Sequence, residues 1–374
     1  MSGHRWLISI IGTVLVLAAP FLTRAGTAAG EGGGGNSPPA PGRLSISVRG
    51  SHLVNARGKV IRLLGVDRSG TEYECMYSAT IFDGPSGATS VKAIASWHAN
   101  AVRVPLNEDC WLGINGAYRG ASGPAYRHAI ESYVRLLGSH GIYAILDLHW
   151  AAPGRYPAES QWPMADADHA PAFWKSVAGT FKRDHGVLFD LFNEPYITSW
   201  NCWQHGCPVT YDDGGTEVTY QSAGMQSLVN AVRSAGAATP LMLGGLDWSS
   251  DESGWLSHEP RDPDHQLAVS FHTYNFSGCD TRACWNSTIA PLARHVPVVT
   301  GEFGESGCTD SYDLTYMPWA DAHGISYLGW AWDSTGAPSH WNCGGGPALI
   351  TSYDGTPTAY GAGLKGHLAA LARG

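Results

Sequence analysis

The chain has 374 residues, 44% of them hydrophobic and 15% charged, and a formal net charge of -9. Enough apolar mass is present for a large folded core, which excludes general disorder. The negative balance, with no basic patch to offset it, excludes nucleic acid and anionic membrane surfaces as partners.

The N-terminus places His4 and Arg5 before an apolar stretch from Trp6 to Leu22, then small residues around Ala25 to Gly30. This is the layout of a secretory signal peptide over residues 1–29, with removal expected near Ala25 to Ala29. Residues 30–42, rich in Gly, Pro and Ser, read as a flexible linker that joins no fold. Residues 43–374 are then one domain of a secreted, extracellular protein. In that compartment the eight cysteines are expected in disulfides. Their order along the chain suggests Cys75 with Cys110, Cys202 with Cys207, Cys279 with Cys284, and Cys308 with Cys343. Zinc is the competing reading, but no Cys-x-x-Cys pair occurs and no metal is expected.

From Leu44 onward, apolar β-rich runs alternate with helical periodicity, which calls for a parallel sheet with crossover helices. Leu44 to Val54 and Lys59 to Leu63 read as an N-terminal β-hairpin turning at Asn55 to Gly58 and plugging a barrel bottom. Eight strands follow: Ile61 to Val66, Ala101 to Leu106, Tyr143 to His149, Leu188 to Glu194, Leu241 to Leu246, Leu267 to Tyr274, Val296 to Gly304, and Ile325 to Asp333. Their near-continuous apolar runs mean burial on both faces. Helices are predicted over Thr89 to His98, Pro124 to His140, Pro171 to Arg183, Tyr220 to Ser234 and Thr358 to Ala372. The fold class is α/β, a single (β/α)8 TIM barrel, in which all C-terminal strand ends meet at one mouth.

Polar and aromatic residues gather at those ends: Arg103, His149, Asn193 with Glu194, His272 with Tyr274, Glu302, and Trp330 with Trp332. Two carboxyl groups across one mouth suit glycosidic cleavage, where one protonates the leaving oxygen and the other attacks the anomeric carbon. Glu194 reads as acid/base and Glu302 as nucleophile. Arg103 is expected to hold Glu302 ionised, while burial keeps Glu194 protonated. Asn193 would bond a sugar 2-hydroxyl, Tyr274 would donate to Glu302, and His149 and His272 would bond the bound sugar. Only one of Trp330 and Trp332 is expected to face the pocket, and Trp332 is the expected floor. Glu305 and Asp333 are reserve candidates for the nucleophile. Trp111, Trp150, Trp162, Trp200, Trp203, Trp248, Trp285 and Trp341 lie beyond strand ends, as further sugar platforms or as loop core.

Val-Arg-Val-Pro, Leu-Asp-Leu-His, Phe-Asn-Glu-Pro, His-x-Tyr, Gly-Glu-Phe-Gly and Gly-Trp-Ala-Trp occur in that order. With them the sequence resembles the cellulase-like glycoside hydrolase family five over about Leu44 to Arg373. By that resemblance Arg103, His149, Asn193, Glu194, His272, Tyr274, Glu302 and Trp332 match the family's active-site set. It implies a retaining mechanism with a covalent intermediate on Glu302 and no metal or cofactor. A secreted endo-β-1,4-glucanase acting on polysaccharide or oligosaccharide is the leading expectation. β-Mannanase comes second, then an exo-acting glycosidase or diglycosidase on small glycosides. Long loops at Asp67 to Ala88 and Tyr196 to Thr219 favour a closed pocket and hence exo action. A non-catalytic carbohydrate-binding barrel is the reading from another class, opposed by two intact Glu. No self-complementary face is legible, so a monomer is expected.

Overall fold

Parallel strands buried on both faces can only sit inside a layer of helices, and the long apolar runs take that position. The structure is a computed structural model and describes residues 44–307, 309–334 and 347–373. The expected leader and linker, Trp341 and the Cys308 and Cys343 pair lie outside the described residues.

The chain opens with β1 (Ile46–Arg49), β2 (His52–Asn55) and β3 (Val60–Ile61), an antiparallel three-stranded sheet. Barrel strands follow as β4 (Leu64–Asp67), β5 (Ala101–Asn107), β6 (Tyr143–Trp150) and β7 (Val187–Asp190). A hairpin, β8 (Pro208–Asp213) and β9 (Thr216–Gln221), then leaves the barrel. β10 (Leu241–Gly244), β11 (Leu267–Tyr274), β12 (Val298–Gly304) and β13 (Ser326–Gly329) complete it. Each barrel strand pairs in parallel with the next, and β13 returns to β4, so the eight close a barrel. Every residue of β5, β11 and β12 is buried.

The eight expected strands are the eight observed, with some ends moved. The predicted hairpin is a three-stranded meander: β3 pairs back on β2 as expected, but Leu44 to Val54, read as one strand, divides at Gly50 (φ +59°) into antiparallel β1 and β2. β7 stops at Asp190 and β13 at Gly329, four residues short of the Glu194 and Asp333 ends expected. The predicted start of a helix at Tyr220 is strand instead, and the helix begins at Met225 behind Gly224 (φ +69°). In the helix Pro124–Ser139, Pro at the start and buried Ile130, Tyr133, Val134 and Leu137 fit the sequence pattern.

Ile46 and Leu53 of the meander, with Leu63, pack against Ala101, Tyr143, Ile145, Leu188, Met242, Ala268, Val299 and Leu328 from the strand starts. They seal the barrel bottom. Each fully buried aliphatic side chain there contributes about 1.5–3 kcal/mol. The mouth is held differently, by disulfides. Cys75–Cys110 joins the loops after β4 and β5, Cys202–Cys207 spans the helix Trp200–His205, and Cys279–Cys284 closes the loop after β11. Three of the four expected pairs are therefore present. Among the described residues, no helix is long and apolar enough to cross a membrane.

Candidate active site

A charged residue inside a buried strand needs partners, and the top of this barrel supplies them from one strand to the next. Arg103, on β5, is fully buried. Its Nη1 donates to Glu302 Oε1 at 2.7 Å and to Asp67 Oδ1 at 3.1 Å, and its Nε donates to Asp190 Oδ2 at 3.0 Å. Nη2 donates to Asn193 Oδ1 at 2.7 Å and lies 3.1 Å from Asp147 Oδ2. One cation thus faces four carboxyl groups. Burial works against its charge, but Asp147, Asp190, Glu302 and Asp67 together hold the guanidinium protonated. Burial also pushes Asp147 and Asp190 up to about 7, even against the pull of Arg103.

Above this layer stand the two glutamates. Tyr274 donates to Glu302 Oε2 at 2.6 Å, so both oxygens of Glu302 are held by donors. Glu194 lies in an irregular stretch beyond β7 and meets His272 Nδ1 at 3.0 Å. An oxygen of Glu194, a ring nitrogen of His272 and an oxygen of Glu302 lie within 4.8 Å of one another. Although 18% of the Glu194 side chain still meets solvent, desolvation by the pocket wall pushes its pKa up to about 8, against the pull of Arg103. His272 is driven down to about 4 and His149 to about 3, in each case first by burial, so both rings are neutral near pH 7. His149 Nδ1 lies 2.6 Å from Asp147 Oδ2.

Local backbone explains the aim of these groups. A register shift between Phe271 and His272 sets His272 opposite Glu302, and alternation turns Tyr274 to the same side. Gly301 leaves room for the ring: a Cβ there would stand 2.8 Å from His272 Nε2. Past β10, Asp247, Trp248 and Ser249 have φ of 50°, 59° and 57°. Left-handed backbone costs an L-residue about 1–2 kcal/mol. It persists here because Trp248 N bonds Pro195 O at 3.0 Å and Ser249 Oγ bonds Asn193 O at 2.9 Å. Those bonds lock the segment to the stretch that carries Glu194.

The result is a pocket of about 500 Å³ lined by His149, Glu194, Tyr274, Glu302, Trp330 and Trp248, among others. Seven of the eight residues singled out from the sequence gather at or directly beneath it. The exception is Trp332, which is fully buried and packs edge-on to Trp97 at 4.8 Å. Trp330 lines the pocket and stacks on His149 at 5.2 Å. Residues two apart in a strand would share a face, but β13 ends at Gly329, and beyond it the two indoles part, Trp330 to the pocket and Trp332 to the core.

Glu305 and Asp333 are buried in loop packing, Glu305 against Thr309, Ser311 and Tyr312, Asp333 against Ser69 and Tyr353. Neither lines the pocket. Of the candidate platforms, Trp111, Trp162, Trp203 and Trp285 are buried core, Trp150 and Trp200 are half-buried, and Trp248 is 46% exposed. Sequence reasoning missed Asp67, Asp147 and Asp190, although a lone Asp inside each apolar strand was a usable signal. Gln161, which accepts from Asn193 Nδ2 at 3.2 Å, and Phe276 had none, since they come from loops.

A family model described as Cellulase (glycosyl hydrolase family 5) matches residues 55–336. A mannan endo-1,4-beta-mannosidase of Streptomyces lividans is 24% identical over 88% of this chain and 73% of its own. Endoglucanase CelA of the same organism is 22% identical over 79% of this chain, which spans only 57% of that relative. Among solved structures, the beta-glucanase SdGluc5_26A from Saccharophagus degradans superposes with a TM-score of 0.68 at 20% identity, over 88% of this chain and 94% of that one.

Proposed function

Because this chain belongs to the cellulase family, glycosyl hydrolase family 5, we propose that it is a secreted enzyme that cuts within β-1,4-linked polysaccharide and retains anomeric configuration. Glucan is the first candidate substrate and mannan the second. The observation that carries this reading is the pair of carboxyl groups, within 4.8 Å across one pocket. A gap of about 5 Å suits direct attack by a carboxylate, whereas about 6.5–9.5 Å would leave room for a water. The apolar N-terminal stretch and the mouth disulfides support export.

In this mechanism Glu302 attacks the anomeric carbon and forms a glycosyl ester. The bond to the leaving oxygen breaks, and that oxygen takes the Glu194 proton. Water, deprotonated by Glu194, then attacks the ester and frees Glu302. Arg103 and Tyr274 orient Glu302. Asn193, itself oriented by Arg103 and Gln161, bonds the sugar 2-hydroxyl, and Trp330 floors the sugar. His149 and His272, both neutral, serve as hydrogen-bonding partners.

Kinetics on glucan, mannan, xylan and aryl β-glycosides, with product lengths and anomeric configuration recorded, test the assignment. Short internal fragments of retained configuration are expected; inverted product would overturn the retaining mechanism. The acid role gives a pH signature. Above about pH 8 Glu194 loses the proton it must donate, so kcat/KM on oligosaccharide should fall about tenfold per pH unit. A dinitrophenyl glycoside, whose leaving group departs without a proton, should keep its rate across that range. Identical alkaline limbs for both substrates would remove Glu194 from the role. The indoles separate as well. Trp330→Ala should lower kcat/KM by about tenfold or more with the fold intact. Trp332→Ala should act through stability, by about 3 kcal/mol, as a core truncation. Urea titration beside kinetics distinguishes them.

A further inference from the structure

Outside the pocket, three acids stand in a row from the core to the surface. Glu108, directly after β5, is fully buried, and neither of its carboxyl oxygens has a hydrogen-bond partner among the described residues. It faces Asp166, which is 1% exposed and whose Oδ2 also lacks a partner, and Asp166 in turn faces half-exposed Asp168. The other groups here are committed: Asp166 Oδ1 accepts from His169 N at 2.7 Å, and Asp168 Oδ2 accepts from Gly154 N at 2.7 Å. Ion pairs of the described arginines all lie elsewhere, and the His169 ring reaches only Asp168, Nε2 to Oδ2 at 3.9 Å. The Ala152 peptide favours a charge on Glu108, but burial, Asp166 and Asp109 each outweigh it. Buried carboxyl groups in contact need a cation or shared protons between them.

We infer that Glu108, Asp166 and Asp168 form a binding site for one structural calcium ion that takes no part in the reaction. The uncommitted donors are all carboxylate oxygens, which suits a hard cation, and Asp166 and Asp168 stand two apart in one loop, as the first ligands of calcium loops do. Magnesium fits less well, because it keeps several of its waters, whereas Glu108 and Asp166 are closed off from solvent. The site knits separate segments together. Glu108 follows β5, and the two aspartates lie in the loop between β6 and the helix Ala170–Phe181. That loop is tied to the end of β9, where Ala167 N donates to Gln221 O at 2.9 Å and Ala223 N to Ala165 O at 2.8 Å. It also carries Gln161, which accepts from Asn193 Nδ2. An ion that fixes the loop therefore steadies one wall of the mouth, whatever substrate the pocket takes.

Binding and unfolding test the site without reference to turnover. The full chain, stripped with EDTA and titrated calorimetrically with calcium chloride, should bind one ion with a Kd on the order of 0.1 mM, as extracellular calcium sites do. In calcium at roughly a hundredfold above that Kd, the unfolding midpoint should rise by about 5 °C. Magnesium at the same concentration should give less than half of that rise. Glu108→Gln and Asp168→Ala should each abolish it, the second at a half-exposed position where folding is safe. Glu302→Gln should keep it in full, which separates this site from the Glu194, His272 and Glu302 cluster. No calcium-dependent rise in the unsubstituted chain would overturn the site and leave shared protons holding the loops. An equal rise with magnesium, a rise that survives both Glu108→Gln and Asp168→Ala, or one lost in Glu302→Gln would overturn it too. Should Glu108→Gln fail to fold, Asp168→Ala alone decides.

Discussion

Glu302→Ala should lower kcat on an aryl β-glycoside by on the order of 10,000-fold or more, as expected when a covalent nucleophile is deleted. The fold should survive, because Glu302, alone among the four carboxyl groups around Arg103, lines the pocket, where water can take the place of its side chain. The size of the loss alone does not assign the role, but stereochemistry does. Azide added to Glu302→Ala can enter the space left by the carboxylate and attack the anomeric carbon from that face, giving a glycosyl azide of inverted configuration. In Glu194→Ala the ester on Glu302 still forms from a substrate with a good leaving group, and azide then attacks the ester, giving net retention. Product analysis by NMR reads the two outcomes. Retained azide product from Glu302→Ala, or residual kcat within a hundredfold of the unsubstituted enzyme, would exchange or dissolve the two assignments. The exchange would be hard to reconcile with the surroundings: Glu302 receives Arg103 and Tyr274, whereas burial keeps Glu194 protonated to about pH 8.

Most of the barrel was legible because parallel strands carry long apolar runs that few other elements need. Their starts and order are local properties of the chain. Their ends are not. β7 was read through to Glu194 because Leu-Phe-Asn-Glu continues the apolar run, yet the chain leaves the ladder after Asp190 to reach across the mouth. β13 was likewise read through to Asp333, yet the chain leaves the ladder after Gly329, and it is the irregular stretch beyond that sends Trp330 and not Trp332 into the pocket. Arg103, both glutamates, Asn193, His272 and Tyr274 were visible as polar residues in or just after apolar runs, whereas Asp67, which pairs with Arg103 across the ladder, was not. The β8–β9 hairpin was not, since Tyr220 to Ser234 carries apolar residues at spacings that a helix could also use. Only the pairing of Val209 with Tyr220 and Tyr211 with Val218 decides for strand. The meander had the converse problem: its return strand β3 was read, but the turn at Gly50 that separates β1 from β2 lies inside a run read as one strand.

Arg103→Ala should be the most destabilising single change at the site, by about 3–5 kcal/mol at neutral pH, since it leaves buried carboxyl groups without their only cation partner within 4 Å among the described residues. The loss should depend on pH, and its sign follows from the shifts. Asp147 and Asp190 are raised to about 7 in the folded state, against about 3.9 unfolded. Between those values the folded protein binds more protons than the unfolded chain, so each group makes stability fall as pH rises. Removing Arg103 takes away the charge that pulls both values down, and the window of falling stability extends upward. Unfolding midpoints of Arg103→Ala should therefore approach those of the unsubstituted protein near pH 5 and separate from them by pH 8. Arg103→Lys keeps one positive charge but not the planar fork that reaches Glu302, Asp67, Asp190 and Asn193 together. It should recover part of the stability and little of the activity, because Glu302 would still lack its aligned donor. Equal midpoints for Arg103→Ala and the unsubstituted protein at pH 8 would mean that protonated aspartates alone satisfy the layer, and that the arginine holds the nucleophile without holding the barrel.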